Sequence, residues 1–172
     1  MACARCVLDP RMHCFVPLST LPSGARLFYT APARSHDKDK EQILEMYHQH
    51  IRAAEGAPWV WVFDCGQMEL RHYTSRRFTL GLAHILETQH RDTLQSILIV
   101  RPTLLVRTTL AVLQPLLPNT LLRKVRVIAE ADPYWLPALR MDHGLSIANT
   151  SAIEAITRLP LDAVIPPLPP VR

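Results

Sequence analysis

The sequence predicts an α/β domain built on a largely parallel sheet. Two observations come from short apolar runs without charge, Trp59-Val60-Trp61-Val62-Phe63 and Ser96-Ile97-Leu98-Ile99-Val100. Each is too short for a buried helix and suits a strand covered on both faces. The third is the order of elements. Strand, helix, strand, helix, strand, helix and strand follow one another, which calls for right-handed crossovers between parallel strands. At 172 residues, 48% hydrophobic and 20% charged, the chain is long enough to bury one ordinary core.

Along the chain, His13 to Leu18 reads as a short edge strand, because Pro17 cannot sit in a central one. A turn at Pro22-Ser23-Gly24 joins it to a strand over Arg26 to Thr30. Ala31 to Asp39 reads as a polar loop, with Asp37 or Asp39 capping the next helix. Ile43, Leu44, Tyr47 and Ile51 share one face of that helix, and Gly56-Ala57-Pro58 ends it. The Trp59 strand closes at Asp64-Cys65-Gly66. A helix from about Ser75 to Arg91 turns Phe78, Leu82, Ile85, Leu86 and Gln89 inward. After the Ser96 strand, Pro102 and Thr103 begin a helix, which Pro115 should kink or tighten. Val125 to Ile128 reads as the last strand. Short helices follow over Tyr134 to Arg140 and Ser151 to Leu159, the second capped by Asn149 or Thr150. Ile165 to Arg172 is proline-rich and extended.

Composition narrows the function. Formal net charge is +4, with 19 Lys and Arg against 15 Asp and Glu. That excess is too small to imply nucleic acid, and no recognition motif supports one. Met1 to Pro17 carries Arg5, Asp9 and Arg11 and does not read as a signal peptide. The best membrane-span candidate, Pro102 to Leu122, holds Arg107, Gln114, Pro115 and Pro118. An Arg at mid-span costs about 2.5–3.5 kcal/mol, which rules it out. Four cysteines without a leader point to free thiols in the cytoplasm.

Cys3-x-x-Cys6 with His13 and Cys14 offers four possible zinc ligands, but the spacing is loose, and untethered thiols are the simpler reading, with no metal expected. His48 and His50, at i and i+2, point to different helix faces and do not form a metal pair. There is no Gly-x-Ser-x-Gly, Walker-type loop or dinucleotide fingerprint, so no cofactor is expected. A hydrolase using Cys65 or Ser75 with His72 has no motif behind it, and the chain reads as non-catalytic. Pro166-Pro167-Leu168-Pro169-Pro170-Val171-Arg172 fits a polyproline ligand, with Pro167 and Pro170 in aromatic grooves and Arg172 against an acidic pocket. The most informative stretch is Leu104 to Leu117. It places Val106, Leu110, Leu113 and Leu117 on one face and Leu105, Val112 and Leu116 on a second. Such a helix is either sandwiched between the sheet and a neighbouring helix, or a movable wall over a hydrocarbon ligand.

Several of these residues in order resemble one family. Trp59 to Phe63 with Asp64-x-Gly66 is similar to the strand-Asp-x-x-Gly region of the CRAL-TRIO lipid-binding domain, one residue shorter. The likeness continues through the helix ending near His90, Leu98-Ile99-Val100-Arg101-Pro102, Leu113-Gln114-Pro115-Leu116-Leu117 and Arg123-Lys124-Val125, with Gly24-Ala25-Arg26 ahead of it. The short branch in Rho-GTPase-activating proteins is the nearest in pattern, with His-Pro where this chain has Arg101-Pro102. The resemblance divides the chain into residues 1–23, a domain over 24–164 and a tail over 165–172. It implies a three-layer α/β/α sandwich on a mixed, largely parallel sheet, with Leu104 to Leu117 as gate helix over a lipid cavity. Val106, Leu110 and Leu113 would line the cavity, and Arg101 and Lys124 would lie near a headgroup. The family's Tyr-Pro-Glu is replaced by Gln89-His90-Arg91, a departure from the phosphatidylinositol exchangers. The expected function is a lipid-binding module at a peripheral membrane surface. The alternative is an interaction scaffold for a small GTPase or SH3-type partner.

Overall fold

Strand pairing follows chain order. The computed structural model describes residues 6, 13–35, 42–69, 72, 76–130 and 133–163. Its sheet runs β1 (Phe15–Pro17), β2 (Arg26–Thr30), β3 (Trp59–Asp64), β4 (Leu94–Val100) and β5 (Val125–Val127), each beside the next. β1 pairs antiparallel with β2, and β2 through β5 are parallel. The helices are α1 (Ile43–Ile51), α2 (Arg76–Gln89), α3 (Leu104–Leu113), α4 (Asn119–Leu122), α5 (Trp135–His143) and α6 (Ile147–Arg158).

Because each parallel strand is laid down on the same side of its predecessor, right-handed crossovers send α1, α2 and α3 to one face. The period of two then sorts the strand side chains. Phe28, Trp59, Trp61, Ile97 and Ile99 pack with Ile51 of α1, Ala83 and Leu86 of α2 and Val106 of α3. Leu27, Tyr29, Val60, Val62, Leu98 and Val100 pack on the other face with Trp135 and Leu139 of α5 and Ile153 and Ile156 of α6. The result is the expected α/β/α sandwich. Gly81 lets α2 approach α1 closely, since a Cβ there would lie 2.6 Å from Leu44 Cδ2.

Several local readings shift. β4 starts at Leu94, two residues before the apolar run. Pro102 sits one residue ahead of the Thr103 cap of α3, outside its first turn. Ser146, not Asn149 or Thr150, caps α6: its side chain accepts from Asn149 N at 3.1 Å. Asn149 and Thr150 are therefore buried in the first turn, and Asn149 Oδ1 accepts from Ser19. Asp37 and Asp39 lie outside the described residues. The expected polar loop holds a buried cation. Arg34 donates to the carbonyls of Thr157, Leu159 and Pro160, at and just past the end of α6.

A polar knot closes the carboxyl end of the sheet. Asp64 is fully buried. Its Oδ1 accepts from Arg101 Nε at 2.9 Å and Gly66 N at 2.8 Å. Its Oδ2 accepts from Arg101 Nη2 at 2.5 Å and the Tyr29 hydroxyl at 2.5 Å. Burial, followed by the Asp64 charge, pushes Tyr29 far above the usual phenol range and keeps it a donor. Arg101 reaches the carboxylate from a left-handed backbone, φ 50°, which a non-glycine residue adopts only under constraint. Its guanidinium stands 5.0 Å from the centre of the Trp135 ring. Gly66 leaves room for this approach, since a Cβ there would lie 2.3 Å from Arg101 Cζ.

Removing one partner of a buried ion pair strands the other charge and costs about 3–5 kcal/mol. Asp64→Asn should lower unfolding free energy by that order in urea titration, and Tyr29→Phe by about 1.5–3 kcal/mol, the usual worth of a hydrogen bond to a charged group. A loss below 1 kcal/mol, order of magnitude, for Asp64→Asn would remove the knot from the stability of the sheet.

His90 supplies a pH test. Its ring is fully buried against Trp59, and neither ring nitrogen has a hydrogen-bond partner among the described residues. Burial lowers its pKa, with Glu55 opposing and His48 assisting. The unfolded imidazole takes up a proton first as pH falls through about 6.5, so acid favours unfolding. The urea midpoint should drop between pH 7.5 and 5.5, and His90→Leu should make that drop smaller, the rest coming from His50, whose pKa burial also lowers. An unchanged slope in the variant would clear His90 of the effect.

Candidate functional site

The site is built around α3. Thr103 starts the helix by accepting from Val106 N at 3.3 Å. Pro115 offers no N–H to a helix interior, so the last turn tightens into a 3-10 turn over Gln114–Leu116. With a helix of ten residues and that turn, the apolar residues divide into two faces. Val106 and Leu113 are buried, and Leu110 and Leu117 are half-buried beside them. On the opposite side Leu104 is 81% exposed and Val112 66%, with Leu105 and Leu116 also in solvent. The helix is not sandwiched between two layers. One apolar face looks inward and the other meets water.

The inward face borders a cavity of about 190 Å³. Its floor is the sheet at Trp61, Phe63, Ile97 and Ile99. Its walls are Tyr47 of α1, Phe78, Leu82 and Leu86 of α2, and Val106, Leu110 and Leu113 of α3. Cys65, His72, Thr79 and Thr109 are the polar residues that matter on the rim and lining. Burial, with Asp64 adding to it, pushes the Cys65 thiol up to about 12, so it is protonated and a poor nucleophile. His72 Nδ1 accepts from Glu69 N at 2.8 Å. Burial holds the Tyr47 phenol protonated as well. The lining therefore presents hydrocarbon and neutral groups, which suits an apolar guest and offers no fixed charge.

The sequence-derived site residues separate into two groups. Val106, Leu110 and Leu113 come together on the cavity wall. Arg101 and Lys124 do not join them. Arg101 belongs to the Asp64 knot and faces the opposite layer, at the edge of a second hollow of about 490 Å³ with Trp135, Arg140, Glu154 and Arg158. Lys124 Nζ donates to the carbonyls of Arg91 and Leu94, the latter at 2.7 Å, and so caps the entry to β4. Pro167, Pro170, Arg172 and Ser75 lie outside the described residues. The aromatic floor and walls, Trp61, Phe63, Tyr47 and Phe78, went unassigned in the sequence. Alternation along β3 and helical spacing in α1 and α2 held the signal, but spacing does not say which faces meet around a void.

No described helix is long and apolar enough to cross a membrane. No curated protein sequence matches the chain. Comparison with protein families matches the divergent CRAL/TRIO domain over residues 21–134, a span that takes in β2 through β5 and every wall of the cavity. On that match, which covers more than half of its length, the chain belongs to the divergent CRAL/TRIO domain family.

Proposed function

We propose that this protein is a non-catalytic lipid-binding module that holds a hydrocarbon ligand between α3 and the sheet. The observation that carries the proposal is the double face of α3, apolar toward the cavity and apolar toward water. A helix that only completed a core would not need the second face. At about 190 Å³ the cavity is below the roughly 300–1,000 Å³ of ordinary ligand pockets, so a full acyl chain requires α3 to move outward. The exposed Leu104, Leu105, Val112 and Leu116 give that movement a destination, the apolar margin of a bilayer. Arg101 and Lys124 act in this reading as framework, since their donors already serve Asp64 and backbone carbonyls. The protonated Cys65 thiol supports a binding role over a hydrolytic one.

Native mass spectrometry of the purified chain should show a lipid adduct, and fluorescent acyl chains should be taken up. Leu110→Trp fills the cavity, and overpacking of about 1–3 kcal/mol should cut uptake about tenfold or more. A bare polypeptide mass with no uptake would end the proposal. Leu104→Asp with Val112→Asp should weaken association with phosphatidylcholine vesicles while leaving the melting temperature within about 2–4 °C, because both sites are exposed.

A second reading draws on the small cavity volume: an interaction scaffold whose lipid space has closed up, engaging a small GTPase or an SH3-type partner. In that case deletion of 166–172 abolishes capture by an SH3 domain, and lipid uptake is absent from the start.

A further inference from the structure

Outside the cavity, three potential metal ligands, two near the start of the sequence and one from α1, meet at one point. Cys6 precedes the sheet, His13 stands just before β1, and His50 lies in the last turn of α1. His13 Nδ1 and His50 Nε2 are 3.0 Å apart. Cys6 Sγ is 3.2 Å from the first and 3.5 Å from the second. Around zinc, with bonds of about 2.0–2.1 Å to nitrogen and 2.3 Å to sulfur, tetrahedral ligand atoms stand about 3.3 Å (N to N) and 3.6 Å (N to S) apart. The three observed separations come close to one face of that tetrahedron. We propose that Cys6, His13 and His50 form a binding site for zinc(II) or a cation of similar softness.

The donor set chooses the metal class. One thiolate and two imidazoles, without a carboxylate, suit zinc and disfavour magnesium or calcium, which want oxygen. His13 is buried and the other two are half-buried, so the ion would be partly shielded from water. The ring of His50 is fixed by Phe15, stacked on it at 5.1 Å and 16°, and meets His13 edge to face. Binding forms two Zn–N bonds and one Zn–S bond, displaces metal-bound water and releases the Cys6 proton to solvent. The fourth position remains for a further ligand.

The site differs from the set visible in the sequence. Cys14 does not take part. It packs with Leu27 and Tyr29 on the other face of the sheet, where burial pushes its thiol up to about 11. Cys3 lies outside the described residues. His50 joins instead of its neighbour His48, which is 2.9 Å from Gln89 Oε1. As i and i+2 spacing dictates, the two histidines go separate ways. A bound ion would clamp the start of the chain to α1, whose Tyr47 is a wall of the apolar cavity.

The test uses the full chain, stripped with a chelator and titrated with cobalt(II), then zinc(II). One equivalent of cobalt should bind with a thiolate-to-metal charge-transfer band in the near ultraviolet, bleached by one equivalent of zinc. Cys6→Ser and His50→Gln should each weaken zinc binding by more than about 100-fold, since even outer partners of a metal are worth about 10–100-fold. His48→Gln on the same helix should bind as the unaltered chain does. Zinc at about 100 times its Kd should raise the melting temperature of the unaltered chain by about 5–10 °C, reversed by chelator, a readout that needs no variant to fold. Absence of stoichiometric uptake, no thermal shift, or a band that survives both Cys6→Ser and His50→Gln would overturn the site and leave a hydrogen-bonded triad.

Discussion

The interaction on which this architecture turns is the buried pair of Asp64 and Arg101. It joins the carboxyl ends of β3 and β4, draws in Tyr29 from β2, and sets a guanidinium against Trp135 of α5. A buried carboxylate is tolerable only with its lone pairs filled, and here two oxygens receive four donors. That demand explains otherwise costly features together. Arg101 accepts a left-handed backbone, and residue 66 must be glycine to leave space. The chain also leaves β4 at a fixed angle, which sets where Pro102, Thr103 and then α3 begin.

From that exit α3 runs over the sheet face opposite the knot. The buried Asp64–Arg101 pair thus lies on one face of the sheet, and the cavity lies on the other. Arg101 and Lys124 look in sequence like cations waiting for a phosphate. In the fold each is spent on internal acceptors, one on a carboxylate and one on backbone carbonyls. The cavity under α3 keeps only neutral groups, and two of its ionisable members, Tyr47 and Cys65, are held protonated by burial. Recognition there would depend on shape and hydrocarbon contact more than on charge. At about 190 Å³ the cavity is smaller than the roughly 300–1,000 Å³ of ordinary ligand pockets.

The near end of the sheet shows a different economy. β1 is only three residues long and antiparallel, with its last residue a proline, features that blunt an exposed edge. Phe15 from that strand stacks on His50 and also meets Phe28, Tyr47 and Trp61. The aromatic cluster therefore connects the Cys6–His13–His50 triad to the floor of the cavity. Anything that orders the triad acts on α1 through packed rings, not through a flexible loop.

The sequence by itself determined the sheet. Uncharged runs at Trp59 and Ser96, helical spacing between them and the edge proline at Pro17 suffice for strand positions and a largely parallel α/β sheet, because periodicity reports local geometry and burial directly, while the three-layer sandwich was what the family resemblance implied. It also placed Val106, Leu110 and Leu113 on one helix face, since they recur at that spacing, and the fold turns that face to the cavity. Only the tertiary structure decided which polar groups meet. Arg34 capping α6, Lys124 bridging to Arg91 and Leu94, Arg101 turning to Asp64, and His50 rather than Cys14 joining Cys6 and His13 are pairings across about 30 to 130 positions. Such pairings leave no period in the chain. They follow from where the crossovers bring side chains once the sheet has formed, and a hydrogen-bond partner is chosen by distance in space, which local spacing does not encode.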